Sequence, residues 1–321
     1  MSRYPFKECV NKVMAAYEGN RAESTLTVMR RRFNRMEPEI MGLFEQGLIS
    51  TTNPRNLTPE DVEQYFNFLR DKPGKNEGEK VALKSVKKDL IELDKLCKFE
   101  KNNCVDVFRA RCPALTKGSC RDRLPVFTPK EIERIFDRCD QIDGSDVTLL
   151  RSFALLGLYF GAGLRTIELQ NAEVDNIRFD GDRASIHLTV VKGKDSYGKP
   201  RDAFILPRMV PFIKRYLDWR EEYLRSVHRE CRYYFFSLDD CEMVSDNTIR
   251  VHRRCAEQDL GIEFDGRKCR RSYGQYLKDH GVEIEAISSL MGHNNTDTTE
   301  DYYARISPNM ALDKAVNALF H

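Results

Sequence analysis

Two adjacent tyrosines, Tyr302 and Tyr303, stand nine and ten residues after His293 near the C-terminal end of the chain. The upstream segment carries a cluster of four cations, Arg267, Lys268, Arg270 and Arg271. A phenol is ordinarily a weak nucleophile, with a pKa of about 10, but neighbouring cations favour the phenolate. A tyrosine beside guanidinium groups suits attack on a phosphodiester whose oxygens the cations hold.

A second candidate arginine, Arg165, follows a glycine-rich turn at Gly161 and Gly163 and starts a predicted short helix. The planar guanidinium group matches two phosphate oxygens. Glu168 lies three residues further on, where an i,i+3 contact would hold the arginine in place. Taken alone, such a pair is more often an ordinary ion pair on an exposed helix surface.

Further candidates lie at the ends of predicted elements. Lys192 and Lys194 follow a predicted strand, and a lysine in such a loop can reach a leaving oxygen and protonate it. His293 follows Gly292, which fits the position just after a helix C-terminus. Lone loop lysines are more often solvated, and a lone histidine is more often structural.

Arg267 and Arg270 have i,i+3 spacing on a predicted helix, close to its N-terminus. Cations there oppose the helix dipole, at a cost of about a few tenths of a kcal/mol. An arginine pair in this position therefore indicates a bound anion that offsets the cost.

The order and spacing of these residues resemble the active site of the tyrosine recombinases, the phage-type integrases. The resemblance is close from Phe127 to about Arg305 and weak over residues 1–111. The matching positions are Arg165, Lys194, Arg267, Arg270, His293 and Tyr302.

The resemblance implies a role for each matching position. Arg165 and Arg270 become the two catalytic arginines, Glu168 the acidic companion of Arg165, and His293 a further phosphate ligand. Tyr302 becomes the nucleophile. The catalytic lysine of the family's β-turn falls on Lys194, with Lys192 as the alternative.

One position departs from the family pattern. The residue three before the second arginine is usually His or Lys, and here it is Arg267. An arginine donates hydrogen bonds but does not give up a proton near neutral pH. Arg267 is therefore expected to bind phosphate without acting as general base, which leaves Lys268, His293 or the surrounding positive charge to favour the phenolate.

Composition sets outer limits on the function. The chain has 321 residues, a length typical of two or three domains, and a formal net charge of only +2. Residues 1–124 carry 24 Lys and Arg against 18 Asp and Glu, whereas the remainder carries 28 against 32. The basic first part suits contact with phosphate backbones.

The ten cysteines lack the C-x2-C spacing of zinc sites, and no histidine pair at metal spacing accompanies them. We therefore expect no metal, no cofactor and reduced thiols. The polar first ten residues lack the apolar segment of a secretion signal, and no apolar run approaches the roughly 20 residues that span a bilayer. A cytoplasmic, nucleoid-associated protein without membrane contact is expected.

Apolar periodicity predicts a mostly α-helical fold with one small antiparallel β-sheet. With the family resemblance, this pattern implies a helical core DNA-binding domain over residues 1–111, a basic linker over 112–125, and a catalytic domain over 126–321 with a C-terminal exchange helix at about 307–321. The helix over Ala22 to Phe44 is expected to kink or break near Pro38. Thr58 and Thr128 have the spacing of capping boxes.

Several cations outside the catalytic set are candidates for DNA contact. They lie on two predicted helices of the first domain, in the linker and beside the second arginine: Arg30, Arg31, Arg35, Lys84, Lys87, Lys88, Arg121, Arg123 and Arg271. Such charges are also typical of an ordinary solvated surface.

The resemblance implies a site-specific recombinase that cleaves and rejoins double-stranded DNA through a 3′-phosphotyrosyl intermediate. It also implies a homotetramer on two DNA sites, linked by exchanged C-terminal tails and compatible with a free monomer in solution; docking of the tail on its own domain is the alternative. Two other functions remain open at this point, a type IB topoisomerase-like enzyme and a non-catalytic DNA-binding relative.

Overall fold

The computed structural model describes residues 4–74, 78–112, 124–181, 183–190 and 199–292. The chain divides into two compact units, Met1–Arg121 and Asp122–His321. The predicted fold class, mostly α-helical with a small antiparallel sheet, is confirmed.

The described part of the first unit is built from helices. They are α1 (Pro5–Tyr17), α2 (Glu23–Glu45), α3 (Pro59–Asp71), α4 (Leu83–Phe99) and α5 (Cys104–Arg111). Their apolar faces meet in one core, in which Phe33, Leu93 and Val105 are almost fully buried. Burial of such side chains supplies most of the stability of amphipathic helices.

The helix α2 continues through Pro38 to Glu45, so of the two expected outcomes at that proline the break is wrong, and the kink stays a prediction. Met36 and Ile40, on either side of it, are buried in the core. Packing of the apolar face thus keeps the helix together where the proline removes one backbone hydrogen bond.

The capping box predicted at the start of α3 is confirmed. The Thr58 hydroxyl accepts a hydrogen bond from the Asp61 amide at 3.2 Å, and the Asp61 carboxylate accepts one from the Thr58 amide at 2.9 Å. Asp61 also accepts hydrogen bonds from the amide and hydroxyl of Ser50. One carboxylate therefore fixes both the helix start and the preceding loop.

The second unit has seven α-helices and three strands within its described residues. In chain order they are α6 (Pro129–Gln141), α7 (Val147–Tyr159), α8 (Thr166–Gln170), β1 (Ile177–Asp180), β2 (Arg183–Leu188), β3 (Arg201–Ile205), α9 (Val210–Ser226), α10 (Asp246–Leu260), α11 (Gly266–Asp279) and α12 (Ile284–Met291). The capping box predicted at Thr128 begins α6.

The sheet has the order β1-β2-β3, with both pairs antiparallel. Alternate residues of β2, Ala184, Ile186 and Leu188, are buried against the core of the unit. The helix α7 is buried on nearly every side, from Leu150 to Tyr159. This helix lies at the centre of the core, where α8, α9, α10 and α11 pack against it.

The turn that follows α7 is specified by glycines. The Gly161 carbonyl accepts a hydrogen bond from the Leu206 amide at 2.7 Å, which ties the turn to the end of β3. Gly163 has a φ of +65°, and a Cβ at that position would lie 2.5 Å from the Tyr273 ring. The Tyr273 hydroxyl in turn donates to the Phe204 carbonyl at 2.9 Å. The glycine thus lets α11 approach the turn closely.

No helix among the described residues is long and apolar enough to cross a membrane. The nine cysteines in this part of the chain are all free thiols.

Replacement of Gly163 should reveal the cost of this close approach. We expect Gly163→Ala to lower the free energy of unfolding of the second unit by about 1–3 kcal/mol more than Gly181→Ala, because only the first change forces a methyl group into an aromatic ring. Gly181 is a matched control, since its φ is +58° and its Cβ would meet nothing within 4 Å. Urea unfolding measures both; equal effects would contradict the packing argument.

Candidate functional site

The candidate site is built around one buried carboxylate, Glu168 of α8. Its side chain is fully buried. One carboxylate oxygen, Oε1, accepts a hydrogen bond from Nη1 of Arg165 at 2.6 Å, and the other, Oε2, accepts one from the Arg165 amide at 2.9 Å. The i,i+3 contact expected from the sequence is therefore present, and Arg165 stands at the N-cap of α8.

A second arginine reaches the same carboxylate from the sheet. Arg201, the first residue of β3, donates from Nη2 to Oε2 of Glu168 at 2.9 Å. Its side chain is only 9% exposed. Burial lowers the pKa of Arg201, an effect that the nearby Glu168 carboxylate opposes.

The third arginine comes from α11. Arg270 lies with Nη1 at 3.6 Å from Oε2 of Glu168 and donates a hydrogen bond of 2.6 Å to the Gly163 carbonyl. Its side chain is 7% exposed. Segments more than one hundred residues apart in sequence thus converge on one carboxylate.

The three arginines also share one helix end. Three consecutive carbonyls at the C-terminus of α12 each accept from a different guanidinium group. Arg201 binds the Leu290 carbonyl, Arg270 binds the Met291 carbonyl, and Arg165 binds the Gly292 carbonyl at 3.2 Å. The last carbonyls of a helix have no partner within the helix and form the negative end of its dipole, so cations stabilise them.

The geometry of that helix end depends on Gly292. Its φ is +61°, the left-handed conformation that closes many helices. A Cβ on Gly292 would lie 2.5 Å from both Cδ and Nε of Arg201. Gly292 therefore occupies the position just after the helix C-terminus, as expected from the sequence, and Arg201 packs directly against it.

The electrostatics of the cluster favour an ionised Glu168. Burial by itself would raise the pKa of the Glu168 carboxyl, but the charges of Arg201, Arg270 and Arg165 outweigh it and the pKa is lowered. Three cations and one anion leave the cluster with a formal charge of +2. Such a cluster suits a bound anion with two or more oxygens, as in a phosphodiester.

The other cations of α11 lie differently from Arg270. Arg267 is exposed, and among the described residues it has no ion pair with Glu168. Arg271 donates to the Pro125 carbonyl at 3.1 Å. Lys268 donates to the Glu263 carbonyl at 2.9 Å and lies 3.7 Å from Glu131, so it is engaged away from the arginine cluster.

The start of α11 supplies its own anion. The Asp265 side chain caps the helix by accepting from the Lys268 amide at 2.6 Å. Cations at a helix N-terminus oppose the helix dipole, and the sequence led us to expect a bound anion that offsets this cost. The Asp265 carboxylate already offsets part of it. The positive charges on α11 therefore give weaker support for a phosphate than the convergence of Arg165 and Arg270.

Several residues singled out from the sequence lie outside the described residues. They are Lys192, Lys194, His293, Tyr302, Tyr303, Arg121, Arg123 and the tail at about 307–321. Their proposed roles remain predictions from the sequence.

Sequence reasoning missed Arg201. Its position just before the third predicted strand, Ala203 to Leu206, gave no sign of burial, because arginines at strand ends usually reach solvent. The sequence carried no signal that could have found it, because the contacts of Arg201 depend on how β3 packs against α12.

Within the described residues, no three His, Cys, Asp or Glu side chains come together as metal ligands. The cluster can bind and neutralise an anion through its guanidinium groups. The described side chains can therefore hold a phosphate, and the candidate nucleophile and proton donor named from the sequence lie outside the described residues.

Comparison with known proteins identifies the class. The model of the phage integrase family matches residues 125–310, more than half of the chain. The chain belongs to this family and is a site-specific DNA recombinase of the tyrosine class. A topoisomerase-like enzyme and a non-catalytic relative are not favoured.

Two relatives of this chain are tyrosine recombinases. The tyrosine recombinase XerC of Neisseria meningitidis serogroup B is 26% identical over 288 residues, which cover 88% of this chain and 85% of that protein. The tyrosine recombinase XerA of Thermococcus kodakarensis is 33% identical over 159 residues, covering 48% of this chain and 51% of that protein.

Solved structures share the fold at low identity. The XerH site-specific recombinase bound to its difH substrate in a pre-cleavage complex has a TM-score of 0.66 at 14% identity, with 95% of this chain and 83% of that chain covered. The Tn1549 transposon integrase in complex with transposon right end DNA has a TM-score of 0.65 at 14% identity, with 97% and 99% covered.

Removal of the central charge should be costly. We expect Glu168→Gln to lower the free energy of unfolding by about 3–5 kcal/mol, because it leaves three largely buried guanidinium groups without their counter-ion. Glu257→Gln is the control. Glu257 is also mostly buried, but it pairs with the single Arg253 at 2.6 Å, so its replacement should have a smaller effect.

The pH dependence gives a second readout of the same prediction. Because the folded pKa of Glu168 is depressed, its contribution is fully present above the ordinary glutamate pKa of 4.5 and is lost as pH falls through the folded pKa. Unfolding measured below pH 5 should therefore vary less steeply with pH in Glu168→Gln than in the wild type, since about this pH the unfolded carboxyl begins to take up its proton. Identical slopes would contradict this role of the carboxylate.

Proposed function

We propose that the chain exchanges DNA strands by transesterification, with Tyr302 as nucleophile. The Tyr302 oxygen forms a bond to phosphorus as the bond to the 5′-oxygen breaks, giving a 3′-phosphotyrosyl link and a free 5′-hydroxyl. The reverse reaction with the 5′-hydroxyl of another strand rejoins the DNA. The covalent link conserves the phosphodiester bond energy, so the proposed reaction needs neither nucleotide nor metal.

The observation that carries this proposal is the convergence of Arg165 and Arg270 on Glu168 and on neighbouring carbonyls of α12. The exposed part of Arg165, about a quarter of its side chain, offers N–H groups to a phosphate. Negative charge grows on the non-bridging oxygens during the attack, and fixed cations stabilise it without reorganising. Arg267 and His293 are proposed as further phosphate ligands.

Proton transfer is assigned from the sequence. Lys194, with Lys192 as the alternative, is proposed to protonate the leaving 5′-oxygen. Arg267 cannot accept the proton of Tyr302 near neutral pH, and Lys268 is bound to Glu263 and lies near Glu131. The positive field of the arginines and His293 remain as the means of favouring the phenolate.

Covalent trapping tests the nucleophile. Wild-type protein should form a covalent adduct with a nicked suicide duplex that carries the sequence the protein selects from a random DNA pool. Tyr302→Phe should form none and should still bind this DNA, because only the phenol oxygen is removed. Tyr303→Phe is the matched control and should keep the adduct. Adduct with Tyr302→Phe but none with Tyr303→Phe would transfer the role to Tyr303.

We further propose that the helical unit, residues 1–111, grips the DNA core together with the catalytic unit, residues 126–321, and that the segment 112–125 follows the DNA between them. On α2, Arg35 lies 2.5 Å from Asp89 of α4, and Arg32 also binds Asp89. These ion pairs join α2 to α4, the helix that also carries Lys84, Lys87 and Lys88. This arrangement supports one shared basic surface.

The charges available on that surface differ among the predicted residues. Arg31, Lys84 and Lys88 are exposed, and no ion pair within the described residues occupies them. Arg30 lies 3.7 Å from Glu18, and Arg35 is engaged by Asp89. The three exposed cations are therefore the strongest phosphate ligands proposed for this unit.

We also propose that the protein lies at the nucleoid in the cytoplasm, because its substrate is DNA. Cell fractionation tests this: the protein should be recovered together with chromosomal DNA.

Salt dependence tests this surface. The double variant Lys84→Gln, Lys88→Gln should bind the selected duplex more weakly. The slope of log K against log salt should shrink by about 0.9 for each phosphate that the variant no longer neutralises. Lys12→Gln is the control, because Lys12 is exposed on α1 and lies 3.8 Å from Glu100. An unchanged slope in the double variant would exclude these lysines as DNA ligands.

The tail at about 307–321 is proposed to dock on a neighbouring protomer and to link four protomers on two DNA sites. The support is the sequence pattern of Leu312, Val316 and Leu319 on one helical face. Removal of 307–321 should leave binding of a single site intact but reduce assembly of two sites in a gel-shift experiment. Undiminished two-site assembly would favour docking of the tail on its own domain.

A further inference from the structure

Arg201 has features that the proposed reaction does not explain. It lies at a point where β3, α8 and α12 meet. It binds Glu168 on one side and the Leu290 carbonyl on the other, and its side chain is 9% exposed. Within the described residues its Nε has no hydrogen-bond partner, although it is buried.

The unpartnered Nε has a packing explanation. A Cβ on residue 292 would lie only 2.5 Å from Cδ and Nε of Arg201, so these atoms pack closely against Gly292. The guanidinium group therefore presses against the backbone of Gly292 with one edge and directs its Nη groups to the two neighbouring elements. Both Nη groups of Arg201 are therefore held by partners inside the protein, whereas about a quarter of the Arg165 side chain is exposed.

Arg201 shares its binding partners with Arg165 and Arg270, the two arginines proposed to meet the phosphate. The oxygen of Glu168 that it binds, Oε2, is the one that faces Arg270 at 3.6 Å and accepts from the Arg165 amide. The carbonyl that it binds is adjacent to the carbonyls held by Arg270 and Arg165. Movement of Arg201 would thus shift both anchors of the other two arginines.

We infer that Arg201 is a positioning residue for phosphate cleavage, which fixes the Glu168 carboxylate and the C-terminal turn of α12 so that Arg165 and Arg270 face the phosphate together. This inference rests on the proposed function. It assigns a role to a residue that the sequence motifs did not single out. Lysine cannot replace it, because a single ammonium group does not span two acceptors in the fixed plane of a guanidinium.

The test compares Arg201→Lys with Arg220→Lys. Arg220 of α9 is a matched control, because it is similarly buried and donates to the Tyr233 and Cys231 carbonyls, away from the Glu168 cluster. Both variants are measured for thermal melting, for affinity toward the selected duplex, and for the rate of adduct formation on the nicked suicide duplex in a single turnover.

We expect both variants to bind DNA like the wild type and to melt at similarly reduced temperatures. Only Arg201→Lys should cleave slowly, by on the order of 10²-fold, since a displacement of about 1 Å at a reacting centre has that effect. Equal cleavage rates for the two variants would overturn the inference. A wild-type protein that forms no adduct would instead overturn the proposed function, and the inference with it.

A second comparison guards against general loss of structure. Cleavage is measured for Glu168→Gln alone and combined with Arg201→Lys. If Arg201 acts through Glu168, the second change should reduce the rate much less in the Glu168→Gln background than in the wild type. Fully additive effects would show that Arg201 acts by another route and would reject the inference.

Discussion

The ion pairs between the ionised carboxylate of Glu168 and three arginines are the interaction on which the rest of the catalytic unit depends. Isolated burial of a carboxylate is unfavourable, and burial of three guanidinium groups near one another is equally so. Each becomes tolerable because the others are present. The consequence is a compact cationic site whose members come from a short helix, a strand and a long helix.

The end of α12 completes this arrangement with main-chain groups. Three successive carbonyls, from Leu290 to Gly292, satisfy N–H groups that the single carboxylate cannot. The negative end of the helix dipole adds to the attraction. Side-chain charge, helix polarity and a glycine turn therefore act together to hold the three arginines in defined orientations.

Local rules of sequence predicted much of this. The i,i+3 pair of Arg165 and Glu168 and the capping boxes at Thr58 and Thr128 depend only on residues close in sequence, and the structure contains all of them. The role of Arg201 could not be predicted, because it depends on how β3 packs against α12. Lys268 likewise turns toward Glu131 and Glu263 for reasons of packing that periodicity does not reveal. The continuous α2 shows the same limit, since core contacts outweigh the effect of Pro38.

The shared carbonyls at the end of α12 bear on how this region opens. The terminal turns of helices ordinarily fray at little cost, because their last carbonyls return to water. Here fraying would remove one hydrogen-bond acceptor from each of three guanidinium groups at once. Their charges would then be balanced only by the single carboxylate of Glu168. The final turn of α12 therefore cannot loosen alone, and its opening is tied to separation of β3 and α11 from the core.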